Sequence, residues 1–504
     1  MSATDGASDP TAVAASSRSP GPRGGLSRPW AGSAGHTEAS EAALWLILVA
    51  CGLVGMFLVS TGDLDLGIGD PPLRGGWAPR LDSLVLVPLA IAVVVIALTA
   101  WWASTIPPAA TPNTPNTPNT PAIPNTPNTP NTPAMATGPT NRLPWTVLLV
   151  LGYVGSLAWS GTLALVAPGE ITADLRIPAD LLAAAKAVGD DPLGFLASYT
   201  ATTTHAAAGT TAVLPTHPPG PVLTVWVLTR VGMHGAVAIG MLFTALGTLV
   251  VPAVSIAVRS LCHETAARRL VPVLVLAPWN GWMAASPDAV TATLATLAVA
   301  VGVVGCEPGR RSMWWALASG LLLGLAGLFG YASVWLGVAV AAAYFVRRRP
   351  ILNVMTGLGA LLPLWLFYAW GFSWPDGLAL ASAPRPGLAG TLAWIAVDLT
   401  VVVLVGGPVL VRAARRLRLT PGWPLLVGAG ATMLFATVLG LAEGDVEESW
   451  LPVFPWLLVA AVAPRPRPEL PGDKLRAGNL PVVLMSLGAL SALALRLCLA
   501  GGTG

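Results

Sequence analysis

Ionisable side chains are scarce in this chain of 504 residues, so their placement is informative. Residues 167–235 carry Glu170, Asp174, Asp180, Asp190, Asp191, His205 and His217, the last within Thr216-His217-Pro218-Pro219-Gly220. Asp288 follows Ser286-Pro287, Asp398 stands alone in an apolar run, and Glu443, Asp445, Glu447 and Glu448 form a late acidic cluster. A carboxylate within hydrogen-bond reach of a hydroxyl can polarise or deprotonate it. His217 can bind a phosphate or a metal ion. Arg230, the basic residue close to His217 in sequence, can hold a phosphate. Such a set in a water-exposed loop after an apolar helix suits a meeting of a lipid-linked donor with an acceptor.

Each residue also has a plainer role. Asp180 and Asp288 can cap the helices they open. Asp174 and Glu170 suit solvated loop positions. His217 can close a turn before the prolines, and Arg230 can snorkel to lipid headgroups. The late acids suit a solvated loop. Intramembrane carboxylates are costly and face a cavity or a partner. Asp398 therefore either lines a cavity or packs as a protonated, hydrogen-bonded acid. His205 reads as structural and His234 as interfacial.

The elements that must position these residues are membrane helices. The chain is 54% hydrophobic and only 10% charged, against roughly a quarter charged in soluble domains. A hydrocarbon core of about 30 Å needs about 20 apolar residues per helix. The apolar runs are residues 42–60, 84–102, 145–166, 237–258, 271–285, 289–304, 313–329, 333–346, 355–370, 392–411, 425–441, 450–462 and 481–499. The expected fold is therefore all-α, a polytopic integral membrane helix bundle of about thirteen transmembrane helices. Period-two alternation is absent, which excludes a barrel, and no basic, aromatic-interleaved stretch suggests nucleic acid. Cys51, Cys262, Cys306 and Cys498 are far apart and have no metal-site spacing, so they read as packing residues.

Four regions follow. Residues 1–40, rich in Ser, Ala, Gly and Pro, are expected to be a disordered cytoplasmic tail. Residues 41–102 form a two-helix unit whose first helix acts as an uncleaved signal-anchor. Residues 103–143 are a linker built on an Asn-Thr-Pro triplet, in which regular proline favours extended polyproline II. Residues 144–504 are the main body, with its long outer loop at 168–235 and the short apolar stretch 222–228 laid in the interface. Threading thirteen spans from a cytoplasmic N-terminus puts Arg259/Arg268/Arg269, Arg310/Arg311, Arg347/Arg348/Arg349, Arg412/Arg415/Arg416/Arg418 and Arg465/Arg467/Lys474/Arg476 inside. The acidic loops and the C-terminus fall outside. The expected location is the plasma membrane.

With those positions fixed, residues 144–463 resemble the GT-C superfamily of polyprenyl-phosphate-sugar-dependent membrane glycosyltransferases, which includes protein mannosyltransferases and aminoarabinose transferases of lipid A. The resemblance lies in the spanning helix, the acidic outer loop with interfacial helices, and His217-Pro218-Pro219. It continues through Thr229-Arg230-Val231-Gly232, Ala266-Ala267-Arg268-Arg269, Ser286-Pro287-Asp288-Ala289 and Glu447-Glu448-Ser449-Trp450-Leu451-Pro452. It implies a GT-C-like core with an extracytoplasmic first core loop. It implies transfer of a sugar from a polyprenyl-phosphate donor to an envelope glycan, lipid or protein. Asp174, Asp180 and Asp288 would be the catalytic acids. Glu170, His217, Arg230, Asp398 and Glu447 would bind substrate. The departing phosphate would be aided by a basic residue or a divalent cation, Mg or Mn. Two departures stand out: Glu170, Asp174 and Asp180 compete for the place of a single early acid, and the late loop is acidic where relatives often carry a base. Two rivals remain open: a transporter or flippase of a lipid-linked intermediate, and a non-catalytic membrane subunit. No inverted repeat favours the transporter, whereas the two departures favour the subunit.

The topology has a direct check. With the native cysteines replaced, Thr210→Cys should react with an impermeant thiol reagent applied from outside, and Asn119→Cys should be protected. The reverse pattern would overturn the topology.

Overall fold

The computed structural model describes residues 34–61, 83–104, 143–167, 170–206, 217–307, 309, 311–382, 387–417, 420–441, 446–462 and 480–498. Every regular element among them is helical. Among the described residues, six helices are long and apolar enough to cross a bilayer: Thr37–Leu58, Ser83–Trp101, Trp145–Leu165, Ala236–Leu261, Pro287–Gly305 and Leu352–Ala369. Gly390–Gly406 and Val409–Arg416 form a bent apolar pair with limbs at 108°. The bend falls at Gly407, whose φ of 75° is left-handed, and at Pro408, which has no N–H to continue the ladder. Ser312–Gly327, Tyr331–Val346, Trp423–Leu439 and Val482–Cys498 are shorter apolar helices.

Besides the bent run 392–411, two more of the thirteen apolar runs are not continuous helices. Residues 271–285 hold the end of the helix Glu264–Val275 and then a 3-10 turn, Pro278–Trp282. Residues 450–462 hold only Phe454–Leu457 and Val459–Val462, both buried on every side. Prolines 278, 452 and 455 interrupt the ladders. Broken backbone at membrane depth is tolerated only where protein satisfies its polar groups, and Asn280 does so here. Fully buried, it donates through Nδ2 to the carbonyls of Leu274 (2.7 Å), Val275 and Ala277. Its Oδ1 accepts from Ser156 (3.1 Å) and Ser160 on the helix Trp145–Leu165. The fully buried Trp159, Trp279 and Trp456 fill the centre around it.

The charges separate to two ends. At one, Arg259 and Arg268 share Glu264, at 2.8 and 2.6 Å, and Arg259 lies over the Trp145 ring. There too Arg347 donates to the carbonyl of Ser260 and Arg416 to that of Ala461. Arginines thus complete helix termini whose carbonyls have no intrahelical partner. The first helix begins at Ala34, earlier than the tail boundary read from composition. Its Glu38 and Glu41 are buried and grip Arg412, whose Nε lies 2.8 Å from Glu41. Glu38 also accepts from the Val483 N–H, fixing the start of the last helix. The rest of the tail, residues 1–33, and most of the linker, residues 105–142, lie outside the described residues.

The opposite end carries the long loop. Its helices Ala179–Ala187 and Pro192–Ala206 do not lie alone on a membrane surface. Leu181 and Ala185 pack with Val222 and Val225 of the helix Gly220–Arg230, and with Ile239 and Phe243 of the next span.

Removing one member of a buried ion cluster strands the others, at a cost of about 3–5 kcal/mol. Arg412→Met should therefore lower the melting midpoint of the extracted protein sharply. Adding Glu38→Gln and Glu41→Gln should recover most of that loss. Equal melting of Arg412→Met and the native protein would refute the cluster's role.

Candidate active site

The loop-bearing end is organised around His217. Pro218 and Pro219 restrict the backbone before the helix Gly220–Arg230, and the turn is tied from both sides. The Tyr199 hydroxyl donates to the His217 carbonyl at 2.8 Å, and the Gly220 N–H donates to the Leu328 carbonyl at 2.8 Å. Gly220 sits so close to that strand of backbone that a Cβ there would overlap the Leu328 carbonyl. Burial, and after it the nearby Tyr331 phenol, push the Tyr199 hydroxyl well above its usual range, so it remains a neutral donor.

Held this way, His217 places Nε2 3.2 Å from Oδ2 of Asp288. Both side chains are largely covered, at 15% and 8% exposure. Asp288 lies in the first turn of Pro287–Gly305, where the helix dipole favours a carboxylate. Ser286 caps that helix by accepting from the Asp288 N–H, and its hydroxyl donates to Oε2 of Glu448 at 3.2 Å. Ser286 therefore links the late loop to the Pro-Asp turn. Immediately before it, Ala285 has a left-handed φ of 54°, a costly conformation for a residue with a Cβ, anchored by a bond from its N–H to Thr244.

His217 and Asp288 border a small cleft. His217 and Asp288 form one wall, Tyr331 and Ser333 another, and Ser449 and Trp450 a third. Thr291 and Thr432 also line it. An ionisable pair beside hydroxyls and an aromatic face is suited to holding a polyhydroxylated molecule and moving a proton.

The structure brings together only some of the residues expected from sequence. Asp288 and His217 meet directly. Asp174 does not join them: its carboxylate pairs with Arg496 of the last helix, with both side chains nearly buried. The two groupings are nonetheless close in the fold. The Leu175 carbonyl and the Ala285 side chain both abut Gly240, where a Cβ would overlap the former. The Asp180 Oδ1 accepts from the Leu181 N–H at 2.7 Å, which is helix capping. Glu170 forms an exposed 2.5 Å pair with Arg176.

Arg230 is a correction. It lies at the far end of its helix, about 15 Å along the axis from Gly220, where it pairs with Asp190 and the Gly189 carbonyl over Trp226. Nearness in sequence to His217 did not carry it into the cleft. Asp398 is buried in Gly387–Gly406, which packs against the late-loop turn Val446–Ser449. Glu447 is buried in that turn, and Glu448 reaches Ser286 instead. Glu443 and Asp445 and the His205 side chain lie outside the described residues.

Sequence reasoning missed Arg496, Tyr331 and Ser333. Arg496 sits in an apolar run near its end, where a lone arginine reads as a snorkelling anchor. Tyr331 and Ser333 begin a span and carry no motif. Among the described residues, no three His, Cys, Asp or Glu side chains gather as a metal site requires. His217 and Asp288 direct their facing atoms at each other, so the described donor set does not fit a divalent ion.

No protein-family model matches the chain, and no curated protein matches it. Among solved structures it is similar to ArnT from Cupriavidus metallidurans bound to undecaprenyl phosphate, with 17% identity and a TM-score of 0.37. That similarity covers 63% of this chain and 60% of ArnT. It is also similar to the Archaeoglobus fulgidus oligosaccharyltransferase in complex with Zn and sulfate, with 14% identity and a TM-score of 0.35, over 70% of this chain and 53% of that one. The chain thus spans less than two thirds of the length of either protein.

Overpacking a tight contact costs about 1–3 kcal/mol. Gly220→Ala should lower the melting midpoint by that equivalent, whereas Gly235→Ala, whose nearest neighbour would be 3.6 Å from the new Cβ, should leave it unchanged. Equal melting of both variants would show that the His217 turn is not built on that contact.

Proposed function

We propose that this protein is an integral membrane glycosyltransferase that moves a sugar from a polyprenyl-phosphate donor to an acceptor outside the cytoplasm. The observation that carries the reading is the His217–Asp288 pair at 3.2 Å, bordering a hydroxyl-lined cleft at the end of an apolar bundle. The segment order read from the sequence, with His-Pro-Pro, Pro-Asp and the late acidic loop in turn, supports it independently.

In this reading the Asp288 carboxylate polarises the acceptor hydroxyl and takes its proton, and His217 fixes the carboxylate's orientation. The acceptor oxygen forms a bond to the anomeric carbon as the bond from that carbon to the phosphate oxygen breaks. The polyprenyl phosphate leaves with the bonding electron pair, and the anomeric configuration inverts. Tyr331, Ser333 and Ser449 supply hydrogen bonds to sugar hydroxyls. Asp180 serves as a cap and Glu170 as a surface ion pair, outside the chemistry.

A second reading, a non-catalytic membrane subunit, draws on one observation. Asp174, the early acid expected to be catalytic, is neutralised by Arg496.

Loss of a general base costs about a hundredfold or more in rate. Asp288→Asn should reduce sugar transfer from a labelled polyprenyl-phosphate donor in membranes by at least that factor, with the melting midpoint little changed. Asp180→Asn, which keeps the oxygen that accepts from the Leu181 N–H, should leave both stability and transfer little changed. Full transfer by Asp288→Asn would remove Asp288 from the chemistry, and no transfer by the native protein with any donor would favour the subunit.

A further inference from the structure

We propose that Arg496 is a masked anion site, in which the Asp174 carboxylate holds the place of a phosphate monoester and yields to it when a lipid-linked phosphate arrives. The inference rests on the reading above for the identity of the lipid, but its observations are separate.

The first is how this guanidinium is satisfied compared with the two other buried arginines. Arg268 uses three nitrogens: Nε on Glu264 at 2.7 Å, one terminal nitrogen on the Leu143 carbonyl at 2.8 Å, and the other on Glu264 at 2.6 Å. Arg412 is held between two carboxylates. Arg496 is as well covered, with a side chain only 9% exposed, yet among the described residues it meets Asp174 through one terminal nitrogen. Its Nε is buried with no acceptor among the described residues. A guanidinium carries five N–H donors in a planar fork that matches phosphate oxygens two at a time. A buried arginine kept only for structure would be expected to fill that fork, as Arg268 does.

The second is the element that carries the carboxylate. Glu38 and Glu41 ride on a helix of 28 residues. Asp174 sits on a 3-10 turn of three residues, Ala173–Leu175, closed by two local bonds from Leu175 to Thr172 and from Arg176 to Ala173. The turn itself packs on the helices Trp145–Leu165 and Ala236–Gly247, so the exchange requires only that the Asp174 side chain turn away. Arg496 stays in place: it is part of the last helix, and its stem packs on Gly281 of the buried 3-10 turn.

The third is position. The pair adjoins the Pro-Asp turn through Gly240, on the same end as the His217–Asp288 cleft. Exchange there keeps Arg496 neutralised at every stage and releases the Asp174 carboxylate only when phosphate is bound. Ligand binding and exposure of a second acid thereby become one event.

The test measures binding to full-length protein in phosphatidylcholine nanodiscs, by shift of the melting midpoint and by titration. Decaprenyl phosphate should stabilise the native protein and decaprenol should not. Asp174→Asn removes the internal competitor and should bind decaprenyl phosphate about tenfold more tightly. Arg496→Gln should lose the response. Because that variant strands Asp174, the double variant Asp174→Asn/Arg496→Gln provides the folded control and should also fail to bind. No tightening in Asp174→Asn, or native-like binding by the double variant, overturns the proposal. An equal response to phosphatidylglycerol in the disc would assign the site to a phosphodiester headgroup and overturn the monoester assignment. Arg496-dependent binding of inorganic phosphate without any response to decaprenyl phosphate would keep the anion site and sink the donor reading. Binding of decaprenyl phosphate that is independent of Arg496 would do the opposite.

Discussion

A charge inside an apolar helix bundle has to bring its own counter-charge, because the medium offers no water to replace it. Arg412 meets this requirement by drawing in two glutamates from the first helix, more than 370 positions earlier in the chain. That demand fixes the N-terminal helix against the far limb of the bent pair, and through Glu38 it fixes where the last helix starts. Arg268 meets it within one helix turn and uses its spare donors to hold the entry to the span Trp145–Leu165. Arg496 meets it by pulling the first core loop inward through Asp174. Much of the arrangement of the helix ends follows from these three neutralisations.

The backbone obeys the same constraint. Where prolines break the runs at 278 and around 452–455, polar backbone groups are exposed at a depth where only protein can satisfy them. Asn280 answers with five hydrogen-bond partners on one side chain. Two helices' worth of sequence is thereby spent on irregular buried structure. This segment links Arg496, packed on Gly281, to the strained Ala285 and the Pro-Asp turn that follows it.

That is also where the sequence stops being legible. Hydropathy counts apolar residues, and residues 271–285 and 450–462 are apolar, so they read as spans. Their burial on all sides comes from neighbours that no local pattern records. His217 and Asp288 were legible because each sits beside proline at a helix start, a local signal. Arg230 misled because eleven helical residues move a side chain out of reach of a histidine that is near it in sequence. Arg496 was silent because a single arginine near the end of an apolar run has an ordinary explanation, and its partner lies 322 positions away.

The two acids at the loop-bearing end therefore stand in different electrostatic states, and that difference bears on how work is divided between them. Asp288 faces a histidine whose charge depends on one proton, so its carboxylate remains an acceptor beside the cleft. Asp174 faces a guanidinium that stays cationic at any physiological pH, so its acceptor capacity is committed until another anion takes that place. A base must be ready before substrate arrives, whereas a carboxylate held by a permanent cation reports whether an anion is present. On that physical ground the proposed proton-handling role suits Asp288 with His217, and the proposed anion-sensing role suits Asp174 with Arg496.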